Sequence, residues 1–300
     1  MTTPKLIRVH IGAHKTATTH FQDTLAKMST ALSEQNIIFL ERDTYRPLIR
    51  KLARGKLLKK NRFSFTRKRA LKNALMENCN KKSTLLISEE NILGDCIHLC
   101  DADPFPYIDF TFLRTLASIA PTEIYLSIRS FDSVLSGAYC TALKYHPRQA
   151  LTAKAVLIDN ATKNNIPSWI PLIKRIKQAL PDVTLRIWTQ EDYRQSSCDI
   201  IRAFVGLETV TIPDIERPAE TITPTNQGVE KVENLISSGD QLVASEQWER
   251  VCNETFLQYK AVHDDEKFSF FDVLNKKIVQ QAYQAEIKKI SELWPDILVR

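Results

Sequence analysis

At 300 residues and 43% hydrophobic content, the chain is long enough to bury a sizeable core, which excludes disorder as its global state. No run of about 18 apolar residues occurs, and the opening MTTPKLIRVHIG lacks the charged-then-apolar layout of a secretory signal, so a cytoplasmic location is expected. The net charge of +6 is not spread evenly: from Arg46 to Lys72 stand twelve Lys or Arg and no Asp or Glu, leaving 29 basic against 35 acidic residues elsewhere.

KLIRVHI (5–11) is rich in β-branched and apolar residues and reads as a buried strand, followed by a tight turn and a helix from about Thr18 to Ser33. NIIFL (36–40) reads as a short second strand and STLLISEE (83–90) as a third, with a helical and very basic stretch over 64–80 between them. The alternation continues with a helix near 109–119, the strand TEIYLSIR (122–129) and a helix through DSVLSGAYCTAL (132–143). IPSWIPLIKRIKQALP (166–181) reads as a helix stopped by Pro181, and VTLRIW (183–188) as another strand. After Tyr193 the strand signal fades, and GVEKVENLISSG, EQWERVCNETFLQYKAV and FDVLNKKIVQQAYQAEIKKISELW read as helices.

Strands alternating with helices of this length predict an α/β fold with a parallel sheet and helices on both faces. The helical C-terminal part, about 194–300, is expected to pack on the same core, and the basic stretch, about 46–80, to be a helical insertion. With no internal repeat, no low-complexity linker and seven glycines, a single domain over 1–300 is expected. The six cysteines, at 79, 96, 100, 140, 198 and 252, form no C-x-x-C pair and sit mostly in apolar surroundings, so reduced thiols are expected. Cys96 and Cys100 are the only close pair, with His98 between them, and no metal site is expected there.

Open α/β sheets bind ligands outside the carboxyl ends of their strands. Those ends carry Gly12-Ala13-His14-Lys15-Thr16 after the first strand, Ser88-Glu89-Glu90-Asn91 after the third, and Arg129 closing EIYLSIR. The first of these is not the triphosphate loop G-x-x-x-x-G-K-[ST]: Gly12 stands three residues before Lys15 and no glycine adjoins the lysine. Its position still makes it an anion site, because backbone N–H groups of residues 14 to 19 and the positive end of the next helix converge there. Thr18 and Thr19 add hydroxyls and Lys15 a mobile charge. The plainer alternative is a helix capped by threonines beside an exposed lysine.

HIGAHKTATT resembles the 5′-phosphosulfate loop of sulfotransferases that use 3′-phosphoadenosine-5′-phosphosulfate (PAPS), commonly K-[TS]-G-T-T. IRSFDSVLSGAY is similar to the same family's 3′-phosphate motif, an arginine ending a strand and a serine about two turns into the next helix. LLISEENILG, LRIWTQEDY and TNQGVE (225–230) resemble, in turn, a strand ending in Ser-Glu, a late strand ending in an acidic dipeptide, and a late Asn-containing turn of bacterial members. The resemblance implies a P-loop-type α/β fold and a PAPS-dependent sulfotransferase acting on a hydroxyl or amine, with a carbohydrate as the acceptor and PAP as the product. It implies cofactor contacts from Gly12, Ala13, His14, Lys15, Thr16, Ala17, Thr18, Thr19, Arg129 and Ser136, with Ser133 as the second choice of serine.

Two departures stand out. Ala17 replaces the usual glycine, so the loop must adopt negative φ there or accept strain. Ser136 follows Arg129 by seven residues where eight is usual, and Gly137 holds the eighth place; one position is about 100° of helix rotation. Catalysis is expected to rest on positioning and on charge stabilisation by Lys15 and the loop amides, with no metal cofactor. Glu90 is the first candidate for the general base, Glu89 and His14 the others, while His10 inside its strand reads as a core histidine.

For the basic segment 46–72, a solvated face and recognition of an anionic glycan or of the cofactor remain open, and because only Phe63 and Phe65 interleave the charges no stable nucleic-acid partner is expected. Two other functions fit parts of the pattern. A small-metabolite kinase would need ATP and Mg²⁺, and a non-enzymatic RNA- or membrane-surface binder would not need Lys15.

Overall fold

The computed structural model describes residues 3–42, 46, 69, 73, 75, 79–101, 103–162, 165–215, 222–271 and 273–299. The basic insertion expected at 46–80 therefore lies almost wholly outside the described residues. Five strands, β1 Leu6–His10, β2 Ile37–Phe39, β3 Thr84–Ser88, β4 Thr122–Ile128 and β5 Thr184–Thr189, form one sheet in the order β2-β3-β1-β4-β5. Every pairing is parallel, with Leu6 to His10 opposite Thr84 to Ser88 on one side and Ile7 to His10 opposite Thr122 to Tyr125 on the other. Between β1 and β2, β3 and β4, and β4 and β5 the chain crosses over through helices.

Both faces of the sheet are covered, which is why β3 and β4 are apolar on successive residues, Leu85 to Ile87 and Ile124 to Leu126, whereas β1 alternates and turns Arg8 and His10 to the second face. One face buries Ile7, Val9, Leu85, Ile87, Ile124, Leu126 and Ile187. Against it pack α3 (Thr111–Ala117), α4 (Phe131–Tyr145) and α6 (Ile170–Ala179) through residues such as Leu113, Leu135 and Ile173. The opposite face buries Leu86, Tyr125 and Trp188 under Phe21 and Leu25 of α1 (Thr18–Lys27) and under Ile201 and Phe204 of α7 (Gln190–Val205). Each such side chain removed from water contributes roughly 1.5–3 kcal/mol before chain entropy is counted. A third cluster joins Tyr139 and Leu143 of α4 to α8 (Asn226–Ser237) and α9 (Trp248–Gln258) through Val232, Cys252 and Phe256. The C-terminal helices thus bury their apolar faces on the outside of α4.

The helix expected over 18–33 is broken at Met28, whose side chain is buried in the second cluster, into α1 and a short α2 (Ser29–Glu34). Two helices were not read from the sequence: α5 (Pro147–Thr162) and α7. Both carry readable ends. Pro147 begins the first, and the second has Thr189 accepting from the Asp192 N–H and Gly206 closing it at φ 76°. The long α10 (Val273–Leu293) leads to a C-terminal segment that lies along β5, with Ile187 and Leu298 bridged in parallel and Val299 N–H donating to the Ile187 carbonyl at 2.8 Å. That segment covers a sheet edge that would otherwise be open. No helix among the described residues is long and apolar enough to cross a membrane.

Candidate functional site

The loop after β1 stays tied to β4: Ile11 N–H donates to the Tyr125 carbonyl at 2.9 Å and Ala13 N–H to the Ser127 carbonyl at 2.6 Å. Beyond that anchor the backbone alternates in hand. Gly12 has φ 85°, Lys15 64° and Ala17 63°, with Thr16 outside the left-handed region. Alternating signs of φ turn successive N–H groups toward one side and make a concave nest for an anion. None of the amides of residues 14 to 17 finds a backbone acceptor among the described residues, and α1 starts at Ala17 without a side-chain cap. The free first-turn amides of α1 and the positive end of its dipole face the same place.

Of the two conformations open to Ala17, the loop takes the strained one, at a cost of about 1–2 kcal/mol for an L-residue in the left-handed region. Gly12 is needed for a second reason. A Cβ there would lie 2.8 Å from Glu90 Cβ, so only glycine lets the β1 loop close onto the end of β3.

Beneath the nest runs a buried chain of hydrogen bonds, Ser88–His10–Ser127–Thr16. His10 Nδ1 lies 2.8 Å from Ser88 Oγ and Nε2 3.0 Å from Ser127 Oγ. Thr16 Oγ1 donates to the Ala13 carbonyl at 2.6 Å and meets Ser127 Oγ. A neutral His10 with the proton on Nε2 satisfies every link, and burial holds its pKa at about 3. His10 is therefore a structural strut across three strands. Thr16, expected among the cofactor contacts, turns its hydroxyl into this strut and can offer a ligand only its backbone N–H. Thr18 is buried at the start of α1, whereas Lys15 and Thr19 are exposed.

Arg129 follows the last residue of β4, and its Nη1 donates to the Lys15 carbonyl at 3.1 Å. The register of β1 with β4 thus sets the guanidinium against the rim of the nest. No carboxylate among the described residues pairs with it at salt-bridge distance, and burial, followed by the charge of Arg194, pulls its pKa down. A half-buried cation beside a second cation is an electrostatic vacancy for an anion. Trp169 steadies the turn, donating Nε1–H to the Arg129 carbonyl at 2.9 Å and stacking on Phe131.

The serines that follow are partly committed. Ser136 is buried and donates to the Asp132 carbonyl at 3.1 Å; Ser133, more open, donates to Asp132 Oδ2 at 3.2 Å. Asp132 also accepts from Ser130 and from Gln280 of α10. Gly137 has another use, because a Cβ there would touch Cγ and Cδ of Lys15 at 3.4 Å. The lysine stem crosses α4 over that glycine.

The two carboxylates after β3 are held differently. Glu89 is 1% exposed and accepts from Arg46 Nε at 2.7 Å, from Arg46 Nη2, and from the Asn91 amide and side chain. Its lone pairs are directed into its own turn and onto Arg46. Glu90 is more open and accepts from Gln22 Nε2 at 2.9 Å and Arg46 Nη2 at 3.2 Å. It stands against Gly12, beside the nest. His14 Nε2 lies 2.8 Å from the Gly94 carbonyl, which makes it the protonated nitrogen and leaves Nδ1 as an acceptor. Burial lowers the His14 pKa, with the Gly94 bond and Glu90 acting the other way.

Arg46, Gln22 and Trp169 are the contributors that the strand-end rule missed. Arg46 opens the basic stretch, and charge density alone does not distinguish one inward-pointing arginine within it. All six cysteines are free, and burial raises the Cys96 thiol to about 11. Among the described residues no group of three or more His, Cys, Asp or Glu side chains is placed to hold a metal ion. No family model matches the chain, and no curated protein matches it.

Proposed function

We propose that this protein is a PAPS-dependent sulfotransferase acting on a hydroxyl or amine of a carbohydrate. The observation that carries the reading is the pairing of two anion sites: among the described residues, a nest of amides at 14–17 without backbone acceptors and, bonded to its rim, a half-buried Arg129 without a carboxylate partner. One site suits the 5′-phosphosulfate and the other the 3′-phosphate, so two phosphates on one nucleotide are read together. Bound PAPS would supply a sulfuryl group, its S–O bond to the phosphate breaking as a bond from sulfur to the acceptor oxygen or nitrogen forms.

The chain's own residues then have distinct tasks. The amides of 14–19 and the α1 dipole hold the phosphosulfate, and Lys15 neutralises charge gathering on the leaving phosphate oxygen. Arg129 and Ser136 hold the 3′-phosphate. Glu90, rather than the saturated Glu89, takes the acceptor's proton, and Arg46 and Gln22 fix the orientation of its carboxylate. His14 braces the loop against Gly94. A sulfuryl group bears less negative charge than a terminal phosphate, so Lys15 and the amides meet the electrostatic demand that Mg²⁺ meets in kinases.

Calorimetry with PAP, AMP and ATP plus Mg²⁺ tests this reading. The expected result is micromolar binding of PAP, weaker binding of AMP, and loss of the difference in Arg129→Ala. Equal binding of PAP and Mg-ATP would refute it in favour of a kinase.

A further inference from the structure

The outer face of α4 carries a second cation whose partners are all neutral. Gly137, Thr141 and Lys144 stand at i, i+4 and i+7 and so share one face. Lys15 leaves its loop across the Gly137 end of that face, since a Cβ on Gly137 would meet the Lys15 stem at 3.4 Å. Lys144 stands two turns further on, about 10 Å along the helix at 1.5 Å per residue. Between them Thr141 lies back on the helix, donating to the Gly137 carbonyl at 3.1 Å.

Lys144 is fixed in place. Its ammonium donates to Asn253 Oδ1 and lies 5.4 Å from the ring centroid of Phe256, both on α9. Glu249 is the carboxylate whose field reaches it, but Glu249 accepts the Tyr145 hydroxyl at 2.7 Å and makes no ion pair with the lysine. Burial lowers the pKa of Lys144, and the charge of Lys15 lowers it further. Lys154 is matched by Glu233 and Arg175 by Asp103, whereas neither the exposed Lys15 nor the half-buried Lys144 has a described carboxylate at salt-bridge distance. A lysine in the last turn of a helix gains from the dipole, but that gain needs no aromatic seat and no buried stem.

We propose that Lys144 binds an anionic group of the acceptor, a carboxylate or sulfate ester, at disaccharide distance from the hydroxyl presented to Lys15. This inference rests on the sulfotransferase reading and narrows its acceptor to an acidic saccharide. Asn253 and Phe256 are positioning residues that hold the ammonium over the face.

The test is calorimetry on the PAP-saturated protein with three probes: cellobiouronic acid, its methyl ester, and inorganic sulfate. Wild type is expected to prefer the acid to the ester by about tenfold, in line with one charge-assisted contact, and to lose part of that preference when sulfate competes. Lys144→Met keeps the stem over Phe256 and is expected to bind acid and ester equally while holding PAP unchanged. Equal affinities for acid and ester on wild type, no binding of either, or a preference that survives in Lys144→Met overturns the proposal. Thermal melting checks that the variant is folded, and Asn253→Ala, which frees the ammonium without removing it, is expected to halve the preference or more. If wild type fails to bind PAP, the sulfotransferase reading falls by itself, and the acid-against-ester comparison on the free protein still decides whether Lys144 is an anion site.

Discussion

Replacing Arg46 by methionine should expose how the site's carboxylates are held. Glu89 is 1% exposed, and its bonds come from Arg46 and from Asn91. Removing the guanidinium strands a buried carboxylate, a change that costs about 3–5 kcal/mol when one partner of a buried pair is lost. The Asn91 bonds remain and Arg46 itself is 26% exposed, so the lower end applies, about 3 kcal/mol. For a chain of this size that is a fall in Tm of roughly 6–12 °C.

The diagnostic partner is Glu89→Gln. Its oxygen keeps the Asn91 contacts, while the charge that Arg46 neutralised is gone. In a double-mutant cycle read by urea unfolding, Arg46→Met/Glu89→Gln should recover about 2 kcal/mol relative to Arg46→Met alone. A loss below about 1 kcal/mol in Arg46→Met, or no recovery in the double variant, would show that Arg46 is a solvated surface cation and that Glu89 is held by its own turn.

Three further outcomes are expected. Ala17→Gly removes a left-handed alanine worth about 1–2 kcal/mol of strain and gives back about 0.4–1 kcal/mol in unfolded-chain entropy, so Tm should rise slightly with PAP affinity unchanged; a lower Tm would mean that the methyl packs usefully. His10 has a folded pKa of about 3 against 6.5 unfolded, so below pH 6.5 the unfolded chain binds a proton that the folded one refuses. Between about pH 6 and pH 4 His10 should therefore remove about 1.4 kcal/mol of stability per pH unit, and unfolding of His10→Gln followed across that window should show a slope flatter by that amount; an unchanged slope refutes the neutral strut. Ser136→Ala should weaken PAP binding about tenfold while Ser133→Ala leaves it unchanged, and calorimetry giving the reverse order would move the 3′-phosphate contact to Ser133.

The parallel sheet was legible because Leu85 to Ile87 and Ile124 to Leu126 are unbroken apolar runs and because β1 and β4 each lead through a short turn into a helix. Lys15, Glu90 and Arg129 were legible for a related reason: in a parallel sheet the carboxyl ends of the strands share one edge, so residues 114 positions apart in the chain arrive together, as the Arg129–Lys15 bond shows. Helices α5 and α7 do not follow from the strand–helix alternation, although Pro147, Thr189 and Gly206 mark their ends.

What no pattern announced is how the site pairs its charges. An arginine at the head of a basic run looks like its neighbours until a tertiary contact selects it, and Arg46 is selected by two carboxylates that the β3 turn places side by side. The same logic applies with opposite sign to Lys15, Arg129 and Lys144. Cations that face carboxylates are spent on structure; these three face amides, carbonyls and rings, and each holds a charge that no carboxylate among the described residues neutralises at close range. Folding Arg129 and Lys144 so costs stability, and the strain at Ala17 adds to that cost in the phosphate loop. A ligand with several negative charges is what would recover it, and it would have to reach from the nest to the guanidinium and, through the acceptor, along α4.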